Sequence, residues 1–364
     1  MLENKLVAVV VPAYNEEQQI SVVIDTMPSF VDRIIIVNDC SKDKTADVVK
    51  KHISANNVET VKIPRNPIEI APTFFNRADI IELEMLQEEE KYYPKHEIFN
   101  NNEEDRIVLI NNLENAKVGG AIAVGYKWCR DHSIDCTAVM AGDAQMDPAE
   151  LYDICGPIIK GEVDYTKGNR LSHKTAKKMI PKKRRIGNAI LSALTKIASG
   201  YWRISDTQTG YTAISLKALR LIDLYDIYRN YGMPNDTLIK LNIAKCSITE
   251  IPIKPVYAVG EQSKMKIGKV IPTVSMLLIS GFFKRIIKKY CINDFHPIVL
   301  FYLCGILSGI ATIYFGVYIL IGLLGSGLVS TGTYQGFTVF LFSTFIMTGF
   351  AMWFDMYDKD QLQK

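Results

Sequence analysis

Asp143-Ala144-Gln145-Met146-Asp147-Pro148 directly follows a short apolar run, Cys136 to Met140. A carboxylate and an amide oxygen two residues apart, just past the end of a buried strand, can both reach one hard cation, and that cation can bridge two phosphates. The same residues also suit a turn or a helix cap, with Pro148 at a position that a first helical turn tolerates. What separates the two readings is where the preceding strand sits in the fold, so the elements around it decide.

Leu6 to Val11 is an apolar run ending in Pro12-Ala13-Tyr14-Asn15-Glu16-Glu17, and Gln18 to Met27 then has helical periodicity. Asp32 to Val37 reads as a second buried strand, closed by Asn38-Asp39-Cys40-Ser41 and followed by a polar helix start at Lys42 to Val49. Two strand–helix units in succession predict an α/β fold, a mostly parallel Rossmann-like sheet with helices on both faces, whose ligand site lies at the carboxyl ends of the strands. Residues 64–115 break the pattern with ten acidic residues from Asp79 to Asp105 and read as an acidic insertion, helical around Asp79 to Glu90. Such an insertion is either a solvated excursion or a lid or partner surface. The alternation resumes with a helix from Val118 to His132 and the strand Cys136 to Met140, then a helix from Gly187 to Gly200, a strand from Tyr211 to Ser215 and a helix from Leu238 to Lys245.

Sixty consecutive residues, Phe295 to Phe354, contain no Asp, Glu, Lys or Arg. That length exceeds any soluble core helix and divides into two membrane spans, about Pro297 to Leu324 and about Tyr334 to Phe354. Lys284, Arg285, Lys288 and Lys289 precede the first span, so the positive-inside tendency puts the bulk of the chain in the cytoplasm of a multi-pass cell-membrane protein. The resulting division is a catalytic domain over 1–260, a juxtamembrane loop and amphipathic helix over 261–294, two transmembrane helices over 295–356 and a cytosolic tail over 357–364. The first apolar run is too short for a signal peptide, and seven cysteines without CxxC spacing fit reduced thiols that bind no metal.

Between Asp164 and Asp206 there is no acidic residue, while Arg170, Lys174, Lys177, Lys178, Lys182, Lys183, Arg184 and Arg185 crowd the first half of that stretch. Beside a membrane hairpin, such a block favours anionic lipid or lipid phosphate over nucleic acid as its partner.

An ordered set of segments carries a resemblance: VVPAYNEE at 10–17, VNDCSKD at 37–43, AGDAQMDP at 141–148, KGNR at 167–170, SDTQTGYTAIS at 205–215 and GEQSKMKIG at 260–268. The chain resembles family 2 inverting glycosyltransferases of the GT-A fold, in the branch of dolichol-phosphate mannose synthases and polyprenyl-phosphate glycosyltransferases. The resemblance implies that Pro12, Ala13, Tyr14, Glu16 and Asp39 line a nucleotide pocket and that Asp143 and Gln145 hold Mg2+ or Mn2+ against the donor diphosphate. It further implies that Asp206, Gln208 and Thr209 face the sugar, that Asp236 stands at a helix head near the acceptor, and that Lys264 and Lys266 lie on a loop closing over the donor. Glu16 is equally suited to complement a helix dipole, and Asp236 to cap a helix. The family's strand usually ends Asp-Gly-Asp, and here Ala141 replaces the first carboxylate; Cys40 and Lys117 stand where glycine is common.

The acceptor implied is a polyprenyl or dolichyl phosphate. A phosphate monoester is largely ionised near neutral pH, its second pKa being about 6, so it needs cations for positioning more than a base. Arg170, Arg184 and Arg185, with Asn188 a helical turn further on, offer donors suited to a phosphate. The expected reaction transfers a sugar from a UDP- or GDP-sugar to that lipid phosphate with inversion. Two alternatives remain: transfer to a sugar hydroxyl, for which Asp236 would serve as base and for which the processive Q-x-x-R-W motif is missing, and a weakly catalytic scaffold. Gly305, Gly309, Gly322 and Gly325 suggest that the hairpin could self-associate.

Overall fold

A computed structural model describes residues 1–55, 60–67, 69–100, 104–179, 182–256, 267–293, 295–325, 327 and 329–359. Within residues 177–186 and 267–271, only the backbone is described for several positions, Arg184 and Arg185 among them. The 260–266 segment with Lys264 and Lys266, and the domain boundary at 260–261, lie outside the described residues.

The chain opens with β1 (Val7–Ala13), α1 (Ile20–Asp25), β2 (Arg33–Asn38) and α2 (Thr45–Ala55). It continues through α3 (Arg77–Glu89), β3 (His96–Ile98), β4 (Ile107–Asn112), α4 (Lys117–Asp131) and β5 (Cys136–Val139). Then follow α5 (Leu151–Ile159), β6 (Tyr165–Asn169), α6 (Ala176–Met179), α7 (Lys182–Ser199), β7 (Thr212–Ser215), α8 (Leu216–Leu221), α9 (Met233–Ile243) and β8 (Ile248–Pro252). The last helices are α10 (Ile267–Arg285), a π-helical stretch (Ile286–Asn293), α11 (Ile298–Leu324) and α12 (Thr331–Lys359).

The eight strands form one sheet in the order β3-β4-β2-β1-β5-β7-β6-β8. Only β3 and β7 run against the others, so the sheet is the mostly parallel one expected. Along β1 the side chains alternate between two cores: Ala8 and Val10 pack beneath α4, while Val7, Val9 and Val11 pack towards α1 and α5. A strand covered on both faces needs no polar face, which is why β1 and β2 read as continuous apolar runs.

Two strands correct the sequence reading. The excursion read as 64–115 ends earlier, because Ile107–Asn112 is β4, paired in parallel with β2. Tyr165–Asn169 is β6, a strand whose buried Thr166 and Lys167 give it no apolar signature. The helix expected at Asp79 to Glu90 is present as α3, and it buries no residue of its own.

α11 and α12 are long and apolar enough to cross a membrane. They pack on each other, with Gly305 against Thr348, Gly309 against Thr344, and Ser308 Oγ 3.1 Å from Ser343 Oγ. Gly305 and Gly309 therefore face α12 inside the hairpin.

Candidate functional site

The loops after β1 and β2 are sewn to each other. Asn15 N donates to Ser41 Oγ (3.0 Å), Lys42 N to Asn15 Oδ1 (2.8 Å), Glu16 N to Thr45 Oγ1 (2.9 Å) and Lys44 N to Glu17 Oε2 (3.0 Å). Asn15, Cys40, Lys117 and Ala144 all hold left-handed backbone, with φ of 57°, 58°, 64° and 56°. This conformation costs a residue with a Cβ about 1–2 kcal/mol, and its concentration at these loop and helix junctions is the pattern of a strained site. It also explains in physical terms why glycine would suit positions 40 and 117.

A cavity of about 360 Å³ opens at the carboxyl ends of β1, β2 and β5. Pro12, Ala13, Tyr14, Glu16, Asp39 and Asp143 line it. Ala141, the first turn of α4, and Asn230 and Tyr231 complete its wall. Asp39 is nearly buried; its Oδ1 accepts from Asn112 Nδ2 (2.9 Å) and from Ala116 N (2.7 Å), so one oxygen anchors the start of α4 while the carboxylate still faces the cavity. Asn112 Oδ1 and Asn115 Oδ1, close by, are buried without a hydrogen-bond partner among the described residues. An α-helix start next to such a cavity favours an anionic ligand.

Asp143 Oδ1 accepts from Gln145 N (3.1 Å), the turn that an Asp-x-Gln segment can make for itself. Asp143 lines the cavity and Gln145 does not. Asp147 is a cap: its Oδ1 accepts from Ala149 N (3.0 Å), and its Oδ2 pairs with Lys254 (3.2 Å). Among the described residues no group of three metal-ligating side chains exists. One carboxylate beside a helix start fits a Mg2+-like ion held chiefly by substrate phosphates and water, and does not fit a protein-caged ion.

The second polar cluster lies where β6 and β8 end and β7 begins, and its charges are paired with each other. Asp206 is fully buried; Arg170 meets it with Nε at 2.8 Å and Nη2 at 3.0 Å. Burial alone would raise the Asp206 carboxyl, but the Arg170 guanidinium overrides this and holds it below the usual carboxylate range. The Arg170 fork that the sequence offered to an acceptor phosphate is thus turned onto Asp206, and Asp206 lines neither the large cavity nor the smaller one beside it. Lys167 is buried beside them, its Nζ donating to the Thr209 carbonyl, and burial pushes it down to about 8 while Asp206 pulls the other way. Glu250 closes the cluster, accepting from Ser205 N (2.7 Å), Asp206 N (2.9 Å) and Asn169 Nδ2 (2.6 Å).

Gln208 bridges the two clusters. It lines a smaller cavity of about 130 Å³ that shares Val118 and Tyr231 with the first, and its Nε2 lies 2.8 Å from Thr207 Oγ1 and 3.1 Å from Asn235 Oδ1. Thr209 lines the same small cavity.

Asp236 corrects the sequence reading. α9 begins at Met233, one turn earlier than expected, so Asp236 is not its cap; Oδ2 accepts from Tyr228 N (2.9 Å) and from Lys240 Nζ (2.6 Å). It lines neither cavity, and the buried Asn235 is the residue turned towards Gln208. Asn230 and Tyr231 carry no sequence signal for their role; they reach the cavity because Gly119 N donates to Arg229 O (2.9 Å), fastening their loop to α4.

α7 has two working faces. Inward, Ser192 Oγ meets Thr207 Oγ1 at 3.1 Å and Thr195 Oγ1 meets Asn235 Oδ1 at 3.2 Å. Outward, Ile190, Leu194 and Ile197 are exposed, as are Met276, Ile279 and Phe283 on the neighbouring α10. Val274 and Leu278, on the opposite face of α10, are buried against Ala198 and Ile239. Asn188 is partly exposed on α7.

Residues 8–68 match the family model described as Glycosyl transferase family 2. The chain is 28% identical over 257 residues to the UDP-N-acetylglucosamine–dolichyl-phosphate N-acetylglucosaminyltransferase of Methanococcus voltae, covering 70% of this chain and 88% of that protein. An uncharacterized protein of Methanocaldococcus jannaschii is 23% identical over 70% of this chain and 84% of its own length. Among solved structures, glucosyl-3-phosphoglycerate synthase of Mycobacterium tuberculosis bound to UDP aligns with a TM-score of 0.46 at 16% identity, over 78% of this chain and 80% of that one. The stretch that matches the Glycosyl transferase family 2 model begins on β1 and runs through β2.

Proposed function

We propose that the protein transfers a sugar from a nucleotide sugar to a polyprenyl or dolichyl phosphate at the membrane surface, with inversion at the anomeric carbon. The observation that carries this reading is a cavity lined by Asp39, Asp143 and a helix start, beside two helices with exposed apolar stripes that run on towards two membrane-length helices. The name of the Methanococcus voltae relative supports a UDP-sugar donor and a dolichyl-phosphate acceptor.

Pro12, Ala13 and Tyr14 form the nucleoside wall, and the other oxygen of Asp39 takes a hydrogen bond from the base or ribose. The first turn of α4 and Lys117 face the diphosphate. Asp143 would hold Mg2+ or Mn2+, with Gln145 completing the turn that aims it; such an ion supplies charge neutralisation on the leaving diphosphate. Gln208 reads the sugar from the adjoining cavity, and the Arg170–Asp206–Lys167 cluster keeps that loop in place. Arg184, Arg185 and Asn188 on α7 meet the acceptor phosphate, and Lys264 and Lys266 contribute to closing the donor site. The catalytic part lies on the cytoplasmic side.

A phosphate acceptor suits this geometry better than a hydroxyl. A hydroxyl needs a base, and Asp236, the residue offered for that task, is committed to Tyr228 N and Lys240. The test is to incubate membranes containing the protein with radiolabelled UDP- and GDP-sugars and Mn2+, supplying either polyprenyl phosphate or polyprenol. Label in a phosphate-linked lipid is the expected result, and label only in the hydroxyl acceptor would overturn the assignment.

A further inference from the structure

Arg285 is the last residue of α10, and it is fully buried. One edge of its guanidinium serves α7: Nε donates to Ala198 O (2.8 Å) and Nη2 to Ile197 O (3.1 Å). These are carbonyls of the last turn of α7, which have no partner within their own helix. The other edge serves α12, pairing in two-pronged fashion with the equally buried Asp355, Nη1 to Oδ1 at 2.8 Å and Nη2 to Oδ2 at 3.0 Å. Tyr290 OH adds a bond to Asp355 Oδ1 (2.7 Å), and Lys289 pairs with Asp358 (3.1 Å). A guanidinium buried with this many fixed partners has no alternative arrangement of similar energy, because any displacement leaves a charge desolvated and unpaired.

α7 is also the helix whose inner face touches the loop carrying Gln208, through Ser192 and Thr207, while Thr195 meets Asn235 of α9, the residue that Gln208 also contacts. We propose that Arg285 is a positioning residue: by clamping the end of α7 to the end of α12, it fixes how deep α7 sits relative to the hairpin, and so the height at which a lipid-borne phosphate meets the donor cavity. This rests on the lipid-phosphate reading above. It assigns the hairpin a role in alignment besides anchorage.

The test pairs Arg285→Met with Asp355→Leu, which removes both buried charges together and leaves neither unpaired, and compares it with Asp355→Asn. Each is assayed on a long-chain polyprenyl phosphate in vesicles and on a water-soluble short-chain prenyl phosphate. The double variant is expected to show about a tenfold higher KM for the long-chain acceptor, with the short-chain kcat/KM and the nucleotide-sugar KM unchanged. Equal losses on both acceptors, or no loss on either, would overturn the proposal. A second readout needs no turnover: a fluorophore on Ile190→Cys, quenched by brominated lipids, reports the depth of α7. A changed depth in the double variant supports the clamp and an unchanged depth refutes it, even if the wild type transfers to no prenyl phosphate and the functional reading alone fails.

Discussion

Two polar clusters share one edge of the sheet and differ in what their charges do. Around β1, β2 and β5, where neighbouring strands are parallel, Asp39 and Asp143 border an open cavity. Around β6, β7 and β8, where β7 runs backwards, the acids are matched inside the protein: Asp206 with Arg170, and Glu250 with three N–H donors. Both clusters look alike in sequence, as short motifs rich in Asp and Asn. The first opens onto a cavity and the second holds a loop, so the same residue type should fail in different ways when removed from each.

The largest expected effect is at Asp206. Asp206→Ala leaves Arg170 and the buried Lys167 without their carboxylate, and should destabilise the fold by about 3–5 kcal/mol, read as a large drop in the thermal unfolding midpoint of the detergent-solubilised protein. Asp143→Ala should leave that midpoint in place and lower kcat/KM by about 10²–10³-fold, measured in the transfer assay. Were the two variants to behave alike in both assays, the contrast between the clusters would be wrong.

Lys167 gives the comparison a pH axis. Its folded-state pKa of about 8 lies below the ordinary 10.5, so between those values the unfolded chain binds the extra proton. Stability should therefore rise as pH climbs from about 8 towards 10.5, by at most about 3 kcal/mol, and the rise should vanish in Lys167→Met. Asp206 works in the opposite range: with its carboxyl held low, the stability it adds is present above the ordinary 3.8 and is lost on further acidification.

Smaller effects sharpen the open cluster. Ala141→Asp adds a second carboxylate to the cavity wall and should tighten Mn2+ binding with a nucleoside diphosphate by about tenfold, or about 1.4 kcal/mol, by calorimetry. Cys40→Gly relieves a left-handed backbone at φ 58° and should stabilise by about 1 kcal/mol, with no change in donor KM.

Sequence periodicity was sufficient for β1, β2, α4, β5 and the hairpin, because each buries an apolar face or run that its period reveals. β6 escaped because its interior is held by Thr166 and Lys167, whose burial is made tolerable by partners remote in sequence, Ile154 O and Thr209 O. The lining residues after β1, β2 and β5 were legible through motif order. Asn230 and Tyr231 were not, since a loop's approach to a cavity leaves no trace in its own residue types. The same holds for Asp236 and Arg170: sequence supplies the charge, and only the fold supplies the partner that claims it. Asp355 is a partial exception, being the first acid after sixty residues without a charge, a place where an ionised group must find a counterion.

The loop from Tyr228 to Gly232 is pinched at both ends. A Cβ on Gly119 would strike the Tyr228 carbonyl, and one on Gly232 would strike Leu277 of α10. The cavity's far wall therefore has no slack of its own and is wedged between α4 and α10. If the cavity takes the nucleotide sugar proposed above, room for a bulkier sugar has to come from trimming Tyr231 or Val118, not from bending the chain that carries them, which makes these two side chains the natural place for donor preference to diverge.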